Sequence, residues 1–156
     1  MGYGNLLKRA EIVARLAHGI QVDKAGVPYT EHLKAVAGLV DRDDEKIVAW
    51  LHDTIEDTPL SLHDLRELGF PHHLVNAVAL LTEDLRGNLS HKEYLIYIRD
   101  ARGDGAEIAR AVKRADLKHN ADPSRNSWMP AEKLSERYRR ALEILDAPSW
   151  VTVGSL

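Results

Sequence analysis

Apolar residues recur at helical spacing through most of the 156-residue chain. Leu6, Leu7, Ala10, Val13, Leu16 and Ala17 follow one face, so residues 5–18 predict an amphipathic helix. Asp23 to Pro28 reads as a polar turn, and a second helix runs through Leu33, Val36, Ala37 and Val40. Asp43 or Asp44 is placed to cap a third helix that carries Ile47, Val48 and Leu51 and delivers His52 and Asp53 near its end, before Thr58-Pro59 stops it. Three later helix starts show the spacing of a capping box: Ser61 with Asp64, Ser90 with Glu93, and Asp104 with Glu107. Gly69 reads as a C-cap, and residues 72–82 predict a helix through Leu74, Val75, Val78 and Leu81. The helix expected over 105–119 buries Ile108, Val112 and Ala115 and presents Asp116. A last helix starts near Pro130, runs through Leu134, Tyr138, Ala141 and Leu145, and stops at Pro148. No segment alternates with the period of a strand. The pattern predicts an all-α bundle of about seven helices, one domain over residues 1–148, and a tail at 149–156 that packs locally or is disordered.

Composition narrows this picture. Hydrophobic residues at 44% and charged residues at 29% are ordinary for a soluble globular chain. The length suffices to bury a core without staples, which matters because there is no cysteine. A formal charge of −3 gives no global field for nucleic acid, so a polyanionic ligand needs a local basic cluster. The absence of a long apolar run, a signal-like segment or a polybasic tail predicts no membrane partner and a cytoplasmic location.

Four islands carry candidate chemistry: His18, His52-Asp53, Glu56-Asp57, and Asp116 with Asn120. Two imidazoles and two carboxylates suit a borderline-to-hard divalent ion such as manganese or iron, whereas structural zinc would recruit thiolates. Four ionisable groups at the end of an otherwise apolar helix would be costly to bury without a cation. The competing reading is a solvated acidic helix end. Glu56 and Asp57, one turn beyond the ligands, look like acid/base equipment, and two carboxylates so close predict a raised pKa on one. Lys8, Arg9, Lys24, Lys113, Arg114 and Lys118 are the candidate cations for an anionic substrate, and Lys113 and Arg114 gain weight from their proximity to Asp116. His63, His72, His73 and His91 read as surface residues, while Trp128 follows Asn120 closely enough to border a pocket.

Ordered motifs span these islands: Ala17-His18-x-x-Gln21, the run Asp23 to His32, Leu51-His52-Asp53-Thr54-Ile55-Glu56-Asp57-Thr58, and Arg114 to Asn120. In order and spacing the chain resembles the HD-superfamily hydrolase domain of RelA/SpoT homologues, which removes pyrophosphate from the 3′ position of (p)ppGpp. The resemblance covers residues 5–145. It implies an HD-type helical bundle in which His18, His52, Asp53 and Asp116 hold one metal ion, usually manganese (Mn2+). It further implies that Glu56 and Asp57 handle the attacking water, Asn120 faces the nucleotide, and Lys8 and Arg9 lie near the guanine base. Lys24 falls beside the phosphates and Tyr138 matches an aromatic near the pocket. His32 and His119 are assigned support behind the ligands. Two positions depart from the pattern: Asp23 stands where arginine is usual, and Leu33 follows His32 where proline is usual.

The resemblance therefore implies a small alarmone hydrolase acting on a nucleotide, without a synthetase domain. A second enzyme reading keeps the site but changes the substrate to a nucleoside monophosphate or to NADPH. A third, an inactive nucleotide sensor, predicts loss of a ligand or of the acid pair, and none is missing.

Overall fold

A computed structural model describes residues 2–151. Among them the chain forms α1 (Tyr3–His18), α2 (Tyr29–Gly38), α3 (Asp43–Leu51), α4 (Thr54–Asp57), α5 (Leu62–Glu67) and α6 (His72–Leu80). A 3-10 turn at Glu83–Arg86 leads to α7 (His91–Asp100), α8 (Ala106–Asn120) and α9 (Ala131–Asp146). The all-α class is as predicted. The β structure among the described residues is one isolated antiparallel bridge between Val22 and Pro28. No helix there is long and apolar enough to cross a membrane. Most of the tail expected at 149–156 lies outside the described residues.

The central element is α3, where Ile47, Val48, Ala49, Trp50 and Leu51 are all buried. A helix whose last five residues are apolar on every side must be surrounded there, and α1, α2, α6 and α8 pack around it. From α1 the contact face carries Ala10 and Ala14, small side chains that let two helices approach closely, and the same stripe ends one turn later in His18. Leu33, Leu51 and Leu74 are fully buried, each stabilising the fold by about 1.5–3 kcal/mol. Helices α7, α8 and α9 meet over a smaller cluster of Leu95, Ala141 and Ile144.

Three local expectations change. The helix predicted to continue through residues 52–57 breaks at His52-Asp53, with ψ of Asp53 near 0°. His52 Nδ1 donates to the Ala49 carbonyl at 2.7 Å and Thr54 Oγ1 donates to that of Leu51 at 2.7 Å. Side chains thus satisfy carbonyls that the next helical turn would otherwise need. At the start of α3 the cap position is Arg42, and Asp43 and Asp44 fall in the first turn, where the helix dipole favours carboxylates. At the start of α8 the cap position is Gly105 rather than Asp104, with φ at 84°. A Cβ on Gly105 would collide with the carbonyl of His73 and the amide of Ala77, so glycine is what lets α8 meet α6. The boxes at Ser61–Asp64 and Ser90–Glu93 form as predicted.

Candidate metal centre

The break after α3 turns His52 and Asp53 into the space between α2 and α8. His32 enters from α2 and Asp116 from α8; both are buried. Ligand atoms of His32, His52 and Asp53 all lie within 4.8 Å of one another, a spacing that could hold a metal ion. Asp116 Oδ1 is 3.1 Å from His32 Nε2 and 3.6 Å from His52 Nε2, while Asp53 Oδ2 is 3.1 Å from His52 Nε2.

Hydrogen bonding decides which nitrogens are available. His52 commits Nδ1 to Ala49, so its Nε2 faces two carboxylates, and that atom is buried without a hydrogen bond. A lone pair aimed at two anions is unfavourable unless a proton or a metal ion stands between them. Burial opposes a charge on His52, but Asp53 and Asp116 override it and hold its pKa well above the usual imidazole range. Burial also pushes Asp53 upward, and His52 more than reverses this, lowering it to about 2. Asp116 is likewise held well below the usual carboxylate range, against burial, by Lys113 and the two imidazoles. Two imidazoles, two ionised carboxylates and a buried nitrogen without a partner suit a divalent cation.

Each ligand candidate is held from outside. Tyr29 donates its hydroxyl to Asp53 Oδ2 at 2.6 Å. Lys113 Nζ lies 3.0 Å from Asp116 Oδ2, and Asn120 Nδ2 donates to Asp116 Oδ1 at 3.0 Å. His119 shares a 2.7 Å contact between its Nδ1 and that of His32.

Here the arrangement departs from the implied ligand set. His32, expected behind the ligands, is in the mutually close group with His52 and Asp53, while His18 and Asp116 are outside it, Asp116 lying against the two imidazoles. His18 lies at the buried end of α1, stacked on Tyr29 with ring centroids 5.1 Å apart. Gln21 donates to the carbonyl of Asp57, so its Oε1 accepts from His18 Nδ1 at 2.9 Å. That leaves His18 Nε2 buried and without a partner.

Glu56 and Asp57 sit on α4, the first half-buried and the second exposed. Both are pushed above the usual carboxylate range, chiefly by burial and then by neighbouring carboxylates, so the expected rise is not confined to one. Glu56 accepts a hydrogen bond from the Glu83 amide.

A cavity of about 370 Å³ opens beside Asp116, between α7, α8 and α9. Its cationic walls are Lys92, Lys113, Arg137 and Arg140; Asn120, Tyr138 and Trp128 add polar and aromatic surface. His91 is exposed, as expected, and also lines the cavity, where partial desolvation lowers its pKa. Lys8, Arg9 and Lys24 are not among these walls. Lys8 is exposed, and Arg9 donates to the Leu68 carbonyl at 2.9 Å, behind α5. Lys24 lies over the Trp128 ring at 4.8 Å. Asp23 pairs with Arg125 at 3.0 Å. The wall residues of α7 and α9 had one sequence signal, the basic run Arg137, Arg139, Arg140 on the last helix.

No family model matches the chain. It is 31% identical over 150 residues to a probable GTP pyrophosphokinase of Mycobacterium leprae, covering 90% of this chain and 18% of that protein. It is 33% identical over 130 residues to a probable guanosine-3′,5′-bis(diphosphate) 3′-pyrophosphohydrolase of Synechocystis, covering 74% of this chain and 16% of that protein. The chain is a homologue of the RelA/SpoT proteins. With the bifunctional (p)ppGpp synthase/hydrolase SpoT of Escherichia coli, identity reaches 42% over 66 residues, 40% of this chain and 9% of SpoT. The chain thus spans less than a fifth of the length of these RelA/SpoT relatives.

Proposed function

We propose that this chain is a metal-dependent phosphohydrolase that removes the 3′-pyrophosphate of (p)ppGpp, giving GDP or GTP and pyrophosphate. The observation that carries the reading is His52 Nε2, buried without a hydrogen bond between Asp53 and Asp116 and close to a cavity lined by cations. In this reading His32, His52, Asp53 and Asp116 hold one divalent ion, manganese by preference, and His18 supports Tyr29 and Gln21. When bound, the ion would neutralise phosphate charge and polarise phosphorus.

The protein's own groups supply the rest. Hydrolysis at the 3′ position breaks the bond between phosphorus and the ribose oxygen, so water must lose a proton and the departing oxygen must gain one. Two carboxyls shifted upward can divide that work, one ionised as base and one protonated as acid. Lys92, Lys113, Arg137 and Arg140 bind phosphate charge in the cavity, Tyr138 and Trp128 offer faces to a base, and Asn120 orients Asp116.

A second reading keeps the reaction and changes the nucleotide to a nucleoside monophosphate or NADPH. It is favoured by Arg9, which is engaged with Leu68 instead of lining the cavity.

The test is to incubate metal-stripped protein with ppGpp, with and without manganese, and to separate the products. Manganese-dependent GDP and pyrophosphate are expected. In Asp53→Ala both metal retention and turnover should disappear, while circular dichroism stays helical. Normal turnover by that variant without bound metal refutes the centre; tight manganese binding without turnover refutes the substrate and sends the assay to NADPH.

A further inference from the structure

The loop between α8 and α9 reaches back to the turn after α1 at two points, Trp128 beneath Lys24 and a largely buried pair of Arg125 with Asp23. Arg125 Nη1 donates to Asp23 Oδ2 at 3.0 Å, and the two side chains are 13% and 9% exposed. Taking two charges out of water is costly, so a buried pair joining two loops calls for a purpose beyond stability. Asp23 is prepared for it: its Oδ1 accepts from the amides of Ala25 and Val27 at 2.9 and 3.0 Å, which leaves Oδ2 for Arg125.

The other side of Arg125 leads into the metal centre. Its Nε donates to Asn120 Oδ1 at 2.8 Å. That bond settles which way the Asn120 carboxamide faces, and Nδ2 then donates to Asp116 Oδ1 at 3.0 Å. Asn126 Nδ2 donates to the Asn120 carbonyl at 2.6 Å and pins the backbone beneath. The Arg125 guanidinium also lies 5.8 Å from the centre of the Tyr29 ring, whose hydroxyl holds Asp53. One side chain therefore touches the supports of both carboxylates.

We propose that Arg125 is a positioning residue of the metal centre, held by Asp23 so that it fixes the Asn120 carboxamide on Asp116. The proposal rests on the metal centre described above. It requires arginine, because the Nε and Nη1 donors diverge in a fixed plane toward two acceptors, whereas a lysine ammonium is a single point. Loss of an outer partner of a metal ligand weakens metal binding by about 10–100-fold.

The experiment measures Mn2+ affinity by calorimetry on metal-stripped wild type, Arg125→Ala, Arg125→Lys and Asp23→Asn. The melting temperature of each metal-free protein and its kcat and KM for ppGpp are recorded alongside. Arg125→Ala should bind Mn2+ about 10–100-fold more weakly and lose kcat with KM nearly kept. Arg125→Lys should keep the Asp23 pair and the melting temperature, yet bind Mn2+ as weakly as the alanine variant. A clasp of purely structural value predicts that lysine restores both, and that result overturns the proposal. Wild-type Mn2+ affinity in Arg125→Ala also overturns it. If the alanine variant does not fold, Arg125→Lys and Asp23→Asn decide: weakened Mn2+ binding with unchanged melting supports the role, and unchanged binding refutes it. If wild type binds Mn2+ but leaves ppGpp intact, the proposed substrate falls while the Mn2+ affinities still decide the role of Arg125.

Discussion

His52 spends one ring nitrogen on the carbonyl of Ala49, and this bond aims the other at Asp53 and Asp116. Residue chemistry of this kind also sets the behaviour of Glu56. Burial first, then Asp53, Asp84 and Asp57, raises it above its ordinary value of 4.5. A carboxyl raised in the folded state contributes stability that is complete below the unfolded value and is lost as pH rises through the folded one. Glu56→Gln keeps an acceptor for the Glu83 amide and removes the charge. The metal-free variant should therefore melt above wild type at pH 7 and together with it at pH 4, while turnover falls about 10²–10⁴-fold. Scanning calorimetry at the two pH values checks this; equal melting at pH 7 would remove the electrostatic account of Glu56. The sequence showed that histidines and acids were available, but not which imidazole would lie with the carboxylates. His18 and His32 stand in equally marked motifs, and the choice depends on where α1 and α2 deliver their rings.

Helix starts with a side-chain cap were readable because the signal is local. Ser61 and Ser90 each accept from the amide three residues on, and the partner acid returns the bond. Asp104–Glu107 has the same spacing and fails, because Gly105 must pass at positive φ under His73 and Ala77. Gly105→Ala should cost more than about 1 kcal/mol, through both backbone strain and collision with α6. Urea unfolding would show it as a lower midpoint with an unchanged slope; an unmoved midpoint would mean that α8 can start elsewhere. The break at His52-Asp53 escaped the pattern for a related reason. Apolar periodicity runs on through Ile55, while the interruption comes from Thr54 and His52 bonding to carbonyls of α3.

Across the whole molecule a chain of net charge −3 gathers Lys92, Lys113, Arg137 and Arg140 around one cavity. Local potential in a cleft with low-dielectric walls outweighs the global sign. Arg137→Ala should raise KM for ppGpp about 10-fold with kcat nearly kept, and added salt should narrow the gap. Steady-state kinetics at two ionic strengths measure this; a fall in kcat at constant KM would move Arg137 from substrate binding to the reaction itself. Lys113 belongs partly to the centre, since Asp116 keeps it charged despite burial.

The sequence by itself determined the all-helical class, most helix positions and the motifs that mark the RelA/SpoT homologue, because periodicity, caps and motif order are properties of neighbouring residues. Tertiary structure decided that His32 joins His52 and Asp53, that Arg9 turns to Leu68, and that Arg125 answers Asp23 from 102 residues away. Those outcomes depend on ring orientation and on distances between helices, which only the packing around α3 sets.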